Sequence, residues 1–550
     1  MTTSVVEPVE TRLRQRPAED TLAALGDMSR LFWRRNRVRL VVWAVFVIGM
    51  VGYVIRYYQG MFTTQASLDD FATISNNPGI KALTGLAANP ATLGGAVWTK
   101  IWMFVAISLA LGAVFLVTRN GRADEELGRT ELLRSRVLGL HAHSAAAWLW
   151  VAGLCVVGGI GSALVSIGMG LDPEGAGVMG SLVFGASITG VGLFGLGVGA
   201  VAGQVASTSR GANALGSIVV IAFYVLRMVG DLGNGALTWA SPIGWGQEMQ
   251  PWGANRWWPL LLLVVLTVAL LAAAWRLEAH RDHGAGLLPD RPGKASAPAR
   301  FASPLGLALR LQRGAIAGWA IAVVLCAGLF GSVVQAMTDL LKDATGSATK
   351  DLIGGTTVDA LLSMLISLIA LVVAVFAVQS TVSLRGDEAG AILEPQLAGA
   401  IGRMKWALQR LAIPVVGSAV LLVVGGGIFG ASYGSTVSDS SQAGRLAGAA
   451  LAYWPAIMVL VGVSVLLFGY LPRLAVSLSW GVIAAVWFLM FVGDALGLPH
   501  WLLDSLPWSA TPYVPLEPLR WTPLVVMTVV AAAFLAVGLD RFRRRDVVPA

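Results

Sequence analysis

Long apolar runs separated by short polar segments are the dominant pattern along this chain of 550 residues. A helix needs about 18 or more apolar residues to cross a bilayer. Runs of that length lie near 38–55, 97–118, 145–170, 180–204, 212–229, 257–275, 314–337, 359–382, 411–432, 447–470, 474–492 and 522–539. The pattern therefore predicts an all-α polytopic membrane protein with about twelve transmembrane helices in two sets of six.

The polar connections between these spans fall into two groups by charge. Arginine concentrates in alternate connections, at residues 34–39, 119–136, 210, 276–313, 385–410, 473 and 541–545. The opposite connections carry mostly aspartate and glutamate. Because positively charged loops stay on the cytoplasmic side, we expect a multi-pass protein of the plasma membrane with both termini in the cytoplasm.

The composition agrees with a membrane protein and argues against a nucleic-acid-binding protein. Apolar residues make up 56% of the chain and charged residues 13%, and the mean hydropathy is +0.71. The net charge of +8 comes from basic residues at helix ends. These basic residues do not form one patch interleaved with aromatic residues, so nucleic acid is not an expected partner.

A charged decapeptide occurs twice, each time directly after an apolar run. The first charged segment, residues 122–131, reads Arg-Ala-Asp-Glu-Glu-Leu-Gly-Arg-Thr-Glu, and the second charged segment, residues 385–394, reads Arg-Gly-Asp-Glu-Ala-Gly-Ala-Ile-Leu-Glu. Arg, Asp, Glu and the final Glu match at one offset (385 − 122 = 263). The same offset relates Tyr224 to Trp487 and Trp245 to Trp508, whereas Trp43 and Trp319 differ by 276.

The repeat predicts two pseudo-symmetric halves. Each half contains an even number of spans, so both enter the membrane in the same orientation, as parallel repeats. The predicted parts are an N-terminal half at 1–277 with an amphipathic entry helix, a cytoplasmic linker at 278–304 rich in Pro, Gly, Ala and Arg, and a C-terminal half at 305–550. The change of offset predicts a longer first external loop in the N-terminal half.

The charged segments have two interpretations. A single charged loop between membrane helices is ordinarily a solvated connection. A merely soluble loop need not keep the same four charges in both halves, so the duplication favours a docking surface for a soluble partner.

Several motifs resemble those of a known family. They are the first charged segment with the Leu-Leu that follows it, Asn77-Pro-Gly-Ile-Lys-Ala-Leu-Thr-Gly85, Ser241-Pro-Ile-Gly-Trp245 and Arg256-Trp-Trp258. Together they resemble actinobacterial ABC transporter permeases described as exporters of polyketide antibiotics, the tetronasin type, over nearly the whole chain.

The resemblance implies that the loop after the second helix of each half contains a coupling helix, which docks on a nucleotide-binding subunit. The implied coupling residues are Arg122, Asp124, Glu125 and Glu131 in the first segment and Arg385, Asp387, Glu388 and Glu394 in the second. The second segment departs from the pattern at Ala391, Ile392 and Pro395. Equal engagement of the two segments is therefore not expected.

No phosphate-binding loop is evident in the sequence. The nearest approach, Pro292-Gly-Lys-Ala295, lacks the first glycine of that loop and the Ser or Thr after the lysine. We therefore expect a transport subunit without enzymatic activity, catalytic residues or a cofactor of its own. ATP and Mg would be bound by separate nucleotide-binding ATPase subunits, two per chain.

A substrate path is predicted from residues in the spans, namely Phe223, Tyr224, Arg227, Trp487 and Phe488. Arg227 is either a functional intramembrane charge or an arginine paired with Asp231 one turn away. His141 and His143 lack clustered Cys or carboxylate ligands. We therefore expect them to be solvated and predict no metal site.

The leading function is export of hydrophobic or amphipathic compounds, such as antibiotics and drugs, by an ATP-driven pump embedded in membrane lipid. A lipid or glycolipid exporter of the same architecture is an alternative. An intramembrane lipid-modifying enzyme would need convergent catalytic groups, and an ion-coupled secondary transporter would need carboxylates at mid-membrane. The sequence shows neither, so both are less favoured.

Overall fold

The structure is a computed structural model that describes residues 21–75, 81, 84–86, 88–134, 138–172, 177–233, 235–282, 284–287, 298, 303–344, 350–390, 392–399, 401–492 and 498–547. Within those residues the regular structure is helical, with no strand. The chain divides into two compact units, Met1–Pro292 and Gly293–Ala550. The all-α class predicted from the apolar runs is confirmed.

Unit 1 contains twelve described helices. They are α1 (Leu25–Met61), α2 (Gln65–Ser75), α3 (Leu93–Val97), α4 (Met103–Asn120), α5 (Arg122–Glu126), α6 (Arg129–Arg134), α7 (Ala142–Gly168), α8 (Met179–Val205), α9 (Ser209–Leu232), α10 (Ala236–Trp239), α11 (Pro242–Gln247) and α12 (Trp258–His280). A π-helical turn at Trp98–Trp102 joins α3 to α4.

Unit 2 contains nine described helices. They are α13 (Pro304–Ala344), α14 (Lys350–Ala389), α15 (Leu393–Leu397), α16 (Arg403–Val437), α17 (Gln442–Leu451), α18 (Trp454–Tyr470), α19 (Ala475–Val492), α20 (His500–Asp504) and α21 (Trp521–Arg544). The connection between the first two long helices is much shorter here than in unit 1, where α2 and α3 lie between α1 and α4.

Eleven helices among the described residues are long and apolar enough to cross a membrane. A further apolar stretch, Ala475–Met490 in α19, is shorter. These helices match the predicted spans, because sustained apolar length is the strongest signal that a sequence carries. The chain is a multi-pass membrane protein.

Small residues allow the long helices to pack closely within each unit. At Gly195 of α8, a Cβ atom would overlap the carbonyl group of Ala110 in α4. At Gly538 of α21, a Cβ atom would lie 2.7 Å from the carbonyl oxygen of Val465 in α18. Close backbone approach of this kind is the usual basis of helix association in lipid, where apolar side chains gain little by leaving the bilayer.

The amphipathic entry stretch is the beginning of α1, which runs without a break from Leu25 to Met61. Its polar end is fixed to the second long helix, because Asn36 Nδ2 donates to Asn120 Oδ1 at 2.9 Å. Unit 2 has the corresponding contact between α13 and α14, where Gln312 Nε2 donates to Ser383 Oγ at 3.1 Å. In each unit this contact lies just before a charged segment.

Candidate site formed by the two charged segments

The first charged segment begins where α4 stops. Gly121 adopts a non-helical conformation, with φ −113° and ψ −87°, and separates α4 from the single turn of α5. Gly128 then takes a positive φ of 67°, which glycine tolerates without steric cost. The chain turns there into α6. The segment therefore consists of two short helices, α5 and α6.

Arg122 and Glu125 form a buried ion triad with Arg281, the residue that follows α12. Glu125 accepts from Arg122 at 2.9 Å and from Arg281 at 2.5 Å, and all three side chains are at most 7% exposed. Arg122 also donates to the carbonyl groups of Ser207, Gly284 and Ala285. The triad fixes the segment to the α8–α9 connection and to the chain beyond α12.

Asp124 forms a second buried ion cluster. Its carboxylate lies 2.6 Å from Arg35 of α1, 3.2 Å from Arg129 and 3.7 Å from Nε2 of His143. The Asp124 side chain is 2% exposed. Asp124 therefore joins the segment to α1 and α7 and does not face solvent.

Glu131 differs from the other acidic residues predicted in this segment. Its side chain is exposed on α6, and it forms no ion pair with any residue in the described part of the chain. Glu126 is also exposed, but its carboxylate accepts from the backbone N–H of Ser209 at 3.0 Å. Arg122 pairs with Glu125 and not with Glu126, although Glu126 lies one turn along the chain.

The second charged segment has a different backbone but an equivalent triad. Here α14 continues through Ala389, so Arg385, Asp387 and Glu388 lie on an unbroken helix. Glu388 lies 3.3 Å from Arg385 and 2.5 Å from Arg545, and its side chain is fully buried. Arg545 follows α21 as Arg281 follows α12, at nearly the repeat offset (545 − 281 = 264).

Asp387 is also paired, but its cation comes from a different helix. Arg410 of α16 lies 2.7 Å from Asp387, whereas Asp124 is paired with Arg35 of α1. The position equivalent to Arg35 is Leu311 (35 + 276), and the position equivalent to Arg410 is Ala147 (410 − 263). The equivalent aspartates of the two halves are therefore paired with arginines from helices that are not equivalent.

Glu394 is the exposed member of the second segment. It lies on the single turn of α15, next to the buried Leu393, and its side chain faces solvent. Gln396 holds this turn in place, because its Oε1 accepts from Nε1 of Trp406 at 3.0 Å. Each segment thus ends in one exposed glutamate, and the residues before it are held by ion pairs and hydrogen bonds within the unit.

The comparisons with known proteins agree with this architecture. The family model for the C-terminal domain of multidrug efflux system permease Rv1217c matches residues 301–543. Multidrug efflux system permease protein Rv1217c of Mycobacterium tuberculosis (strain ATCC 25618 / H37Rv) is 34% identical over 526 residues, which cover 94% of this chain and 94% of the relative. The chain belongs to this family of multidrug efflux permeases. The predicted resemblance to ABC-type exporter permeases is confirmed.

Sequence reasoning did not find the cations that hold the permease's charged segments. Arg281, Arg545, Arg35 and Arg410 were grouped with the arginines that set the topology. The recurrence of an arginine after the last helix of each half, at offset 264, was the available signal for two of them. The assignment of the eight predicted residues to partner docking stays a prediction, and the structure divides them into six ion-paired side chains that are at most 13% exposed and two exposed glutamates.

The predicted substrate-path residues of unit 1 lie at the end of α9 that is remote from the charged segment. Arg227 is fully buried, 2.9 Å from Asp231, and its guanidinium carbon lies 5.0 Å from the centre of the Tyr224 ring. The pairing of Arg227 with Asp231 is confirmed. Phe223 packs edge-on against Phe194 with ring centres 5.6 Å apart.

The Arg227–Asp231 pair belongs to a larger polar cluster with α10 and α11. Asp231 accepts from Thr238 at 2.7 Å and from Gln247 at 3.0 Å, and Arg227 donates to Gln247 at 3.2 Å. Nearby, burial raises the pKa of the Glu248 carboxyl above its usual range, and Arg256 at 3.3 Å opposes that shift. The cluster fixes the short helices to the end of α9.

The corresponding residues of unit 2 are less enclosed. Trp487 is half-buried against the core of its unit, and Phe488 is 54% exposed. The position equivalent to Arg227 is Met490. Methionine carries no charge, so it cannot form the ion pair that Arg227 forms in unit 1. The role of these aromatic residues in a substrate path stays a prediction.

The expectation that His141 and His143 are solvated is wrong. His141 is 2% exposed, stacks on Trp275 with ring centres 4.0 Å apart, and lies 3.1 Å from Glu278. His143 is mostly buried beside Asp124. Both histidines lie at the start of α7. There the helix packs against neighbouring elements, which shield the two side chains from solvent.

Proposed function

We propose that the permease is the membrane-spanning subunit of an ATP-driven ABC efflux pump that exports hydrophobic or amphipathic compounds, including drugs. The relative named multidrug efflux system permease supports this function. The observation that carries it is the repeated arrangement of a buried Arg–Glu–Arg triad followed by an exposed glutamate. A repeated, rigidly held charged surface suits a partner that acts on both halves.

The proposed partners are nucleotide-binding ATPase subunits, two for each copy of the permease, which bind ATP and Mg²⁺. Glu131 and Glu394 are the residues that we propose to contact them, because both side chains are exposed. Arg122, Asp124, Glu125, Arg385, Asp387 and Glu388 would instead position the two segments through internal pairs. Force applied to the exposed glutamates would then reach α1, α12, α16 and α21 through those pairs.

The proposed location is the plasma membrane, with both termini and both charged segments in the cytoplasm. The positive-inside rule supports this orientation. The triads are consistent with it, since they bring the ends of α4 and α12, and the ends of α14 and α21, to one side of their own unit. The Arg227 cluster would then lie on the external side.

The proposed substrates bind mainly by burial of apolar surface. Phe223, Tyr224, Trp487 and Phe488 offer aromatic surface, and burial of such surface contributes roughly 25 cal/mol per Å². Apolar burial places few geometric demands on a ligand, which suits a broad range of compounds.

Reconstitution tests the proposal directly. The permease would be placed in proteoliposomes with and without its nucleotide-binding subunit, and ATP-dependent movement of a panel of fluorescent lipophiles would be measured. A matched control contains a partner whose ATP-hydrolysing carboxylate is replaced by an amide. We expect transport only with the active partner. Transport driven by an ion gradient without any partner would assign the permease to another class.

A further inference from the structure

Each unit has an apolar groove near the membrane surface opposite its charged segment. In unit 1 the groove has a volume of about 290 Å³ and lies between α7, α8 and the start of α12. In unit 2 the groove has a volume of about 330 Å³ and lies between α17, the start of α18 and the start of α21. The helices that form both grooves are membrane-spanning candidates, so each groove opens within the bilayer.

Four lining positions recur between the two grooves, although five residues of α7 line the first groove and no residue of α16 lines the second. Gly185 and Gly448 line them at the same offset (448 − 185 = 263), and so do Thr189 and Ala452. Trp257 and Trp521 line them at the slipped offset (521 − 257 = 264), as do Leu260 and Leu524. The recurrence of these four lining positions in both halves separates the grooves from an accidental packing defect.

An ion pair stands beside the mouth of each groove. Arg256 precedes Trp257 and lies 3.3 Å from Glu248, and Arg520 precedes Trp521 and lies 2.5 Å from Glu517. Arg256 and Arg520 are 40% and 66% exposed, whereas Glu248 and Glu517 are 15% and 39% exposed. Each groove thus combines an apolar cavity, a tryptophan at its rim and a matched cation and anion at the level of the lipid head groups.

We propose that each groove binds one acyl chain of a zwitterionic phospholipid, with the lipid phosphate on the arginine and the lipid ammonium on the glutamate. The apolar cavity accepts the chain, and the Arg–Glu pair complements a head group that carries both charges. An anionic head group would complement only the arginine and would be opposed by the glutamate. The site is independent of how the permease is energised.

A phospholipid suits these grooves better than a transported compound. Under the proposed orientation both grooves lie in the outer leaflet, where an exporter releases its substrate. A site at the point of release gains nothing from holding a substrate tightly, whereas a lipid of that leaflet is always present.

Native mass spectrometry of the purified permease tests the site by counting retained phospholipids. Gly448→Leu fills the groove of unit 2, and a Cβ atom at Gly448 meets no other atom within 4 Å, so the helix is not distorted. Gly444→Leu is the matched control, because Gly444 lies one turn earlier on α17, has equal space and does not line the groove. We expect two tightly held lipids in the wild type and in Gly444→Leu, and one in Gly448→Leu.

The head-group preference is tested by exchange. We expect phosphatidylethanolamine to be retained at least tenfold better than phosphatidylglycerol, and this preference to be lost at the unit 2 site in Glu517→Gln. Retention of both lipids by Gly448→Leu, or of none by the wild type, would overturn the groove assignment. Equal retention of the two lipid classes would overturn the head-group assignment. A retained compound that is not a lipid would make the grooves substrate sites instead.

None of these measurements requires the nucleotide-binding subunit. Failure of the proposed efflux function would therefore leave the lipid counts unchanged, and failure of the lipid site would leave ATP-dependent transport in place.

Discussion

Two neighbouring arginines at the end of α21 differ completely in their surroundings. Arg545 makes two hydrogen bonds to the buried Glu388, at 2.5 and 2.9 Å, and its guanidinium carbon lies 4.9 Å from the centre of the Phe468 ring. Arg544 pairs with Asp540 on the surface, where both side chains are at least half exposed. Solvent screens the second pair and not the first.

We predict that Arg545→Ala destabilises the permease far more than Arg544→Ala. Removing Arg545 leaves the buried Glu388 with only the longer contact to Arg385 at 3.3 Å, and loss of one partner of a buried ion pair costs about 3 to 5 kcal/mol. Loss of an exposed pair costs about 0 to 1 kcal/mol. The difference is measured by unfolding both variants in mild detergent with heat or denaturant. Equal stabilities would mean that the unit 2 triad contributes nothing.

The exposed glutamates are the residues at which a partner can be tested. We predict that Glu131→Ala and Glu394→Ala lower transport and substrate-stimulated ATP hydrolysis while membrane insertion is unchanged, since both side chains already face solvent. A charge-assisted contact with the partner contributes on the order of 1 to 3 kcal/mol of docking. The two variants should differ in severity, because α6 and α15 differ in sequence and in their connection to the preceding helix.

Asp27→Ala supplies the control for this pair. Asp27 is an exposed acid in an exposed ion pair with Arg30, on α1, and it belongs to neither charged segment. Expression, partner co-purification and efflux of the three variants would be compared. Wild-type efflux in the Glu131→Ala, Glu394→Ala double variant would leave these acids as solvated loop charges.

At the scale of helices, the two halves carry an aspartate at the equivalent position, but its arginine partner comes from a different helix in each half. Asp124 uses Arg35 of α1, and Asp387 uses Arg410 of α16. The Asn36–Asn120 and Gln312–Ser383 contacts show that α1 meets α4 as α13 meets α14. An arginine at position 311 should therefore reach Asp387.

We predict that Leu311→Arg rescues Arg410→Ala. The single variant Arg410→Ala leaves a buried carboxylate without its cation and should cost about 3 to 5 kcal/mol. The second substitution supplies a cation from the helix that unit 1 uses. Thermal unfolding of the single and double variants measures the recovery, with Leu311→Gln as the uncharged control. No recovery would show that the two halves differ in backbone geometry at this point.

Sequence patterns predicted the helices well and their connections poorly. Apolar length located the spans because each span must be apolar over its full length, whatever it packs against. The helix breaks at Gly121 in unit 1 and continues through Glu388 in unit 2, where Leu384 stands at the position equivalent to Gly121. The triads depend on Arg281 and Arg545, which lie 156 and 157 residues from their glutamates, and no local pattern joins positions so far apart.

At the scale of the whole molecule, the chain is a multi-pass permease whose sequence shows no phosphate-binding loop. We predict that the purified chain neither binds nor hydrolyses ATP, because its sequence has no phosphate loop. Binding of a fluorescent ATP analogue and phosphate release would be measured on the permease alone. Turnover that survives removal of contaminating ATPases would contradict the prediction.

We also predict that one permease assembles with two nucleotide-binding subunits. The repeat already supplies two charged segments, so a second copy of the chain is not needed to engage an ATPase dimer. Native mass measurement of the assembled pump gives the ratio. A minimal active complex with two permease chains would contradict this stoichiometry.

The triads also set an order for biosynthesis. Each segment emerges from the ribosome long before the arginine that completes its triad, by 156 residues in unit 1 and 157 in unit 2. At roughly 5 to 20 residues per second, the delay is on the order of 10 to 30 seconds. During that interval Glu125 or Glu388 lacks its final cation, and the segment is not yet fixed. For the proposed ATPase partner, a nascent half would therefore become ready to dock only after its last helix has left the translocon, so incomplete chains would not compete for the partner.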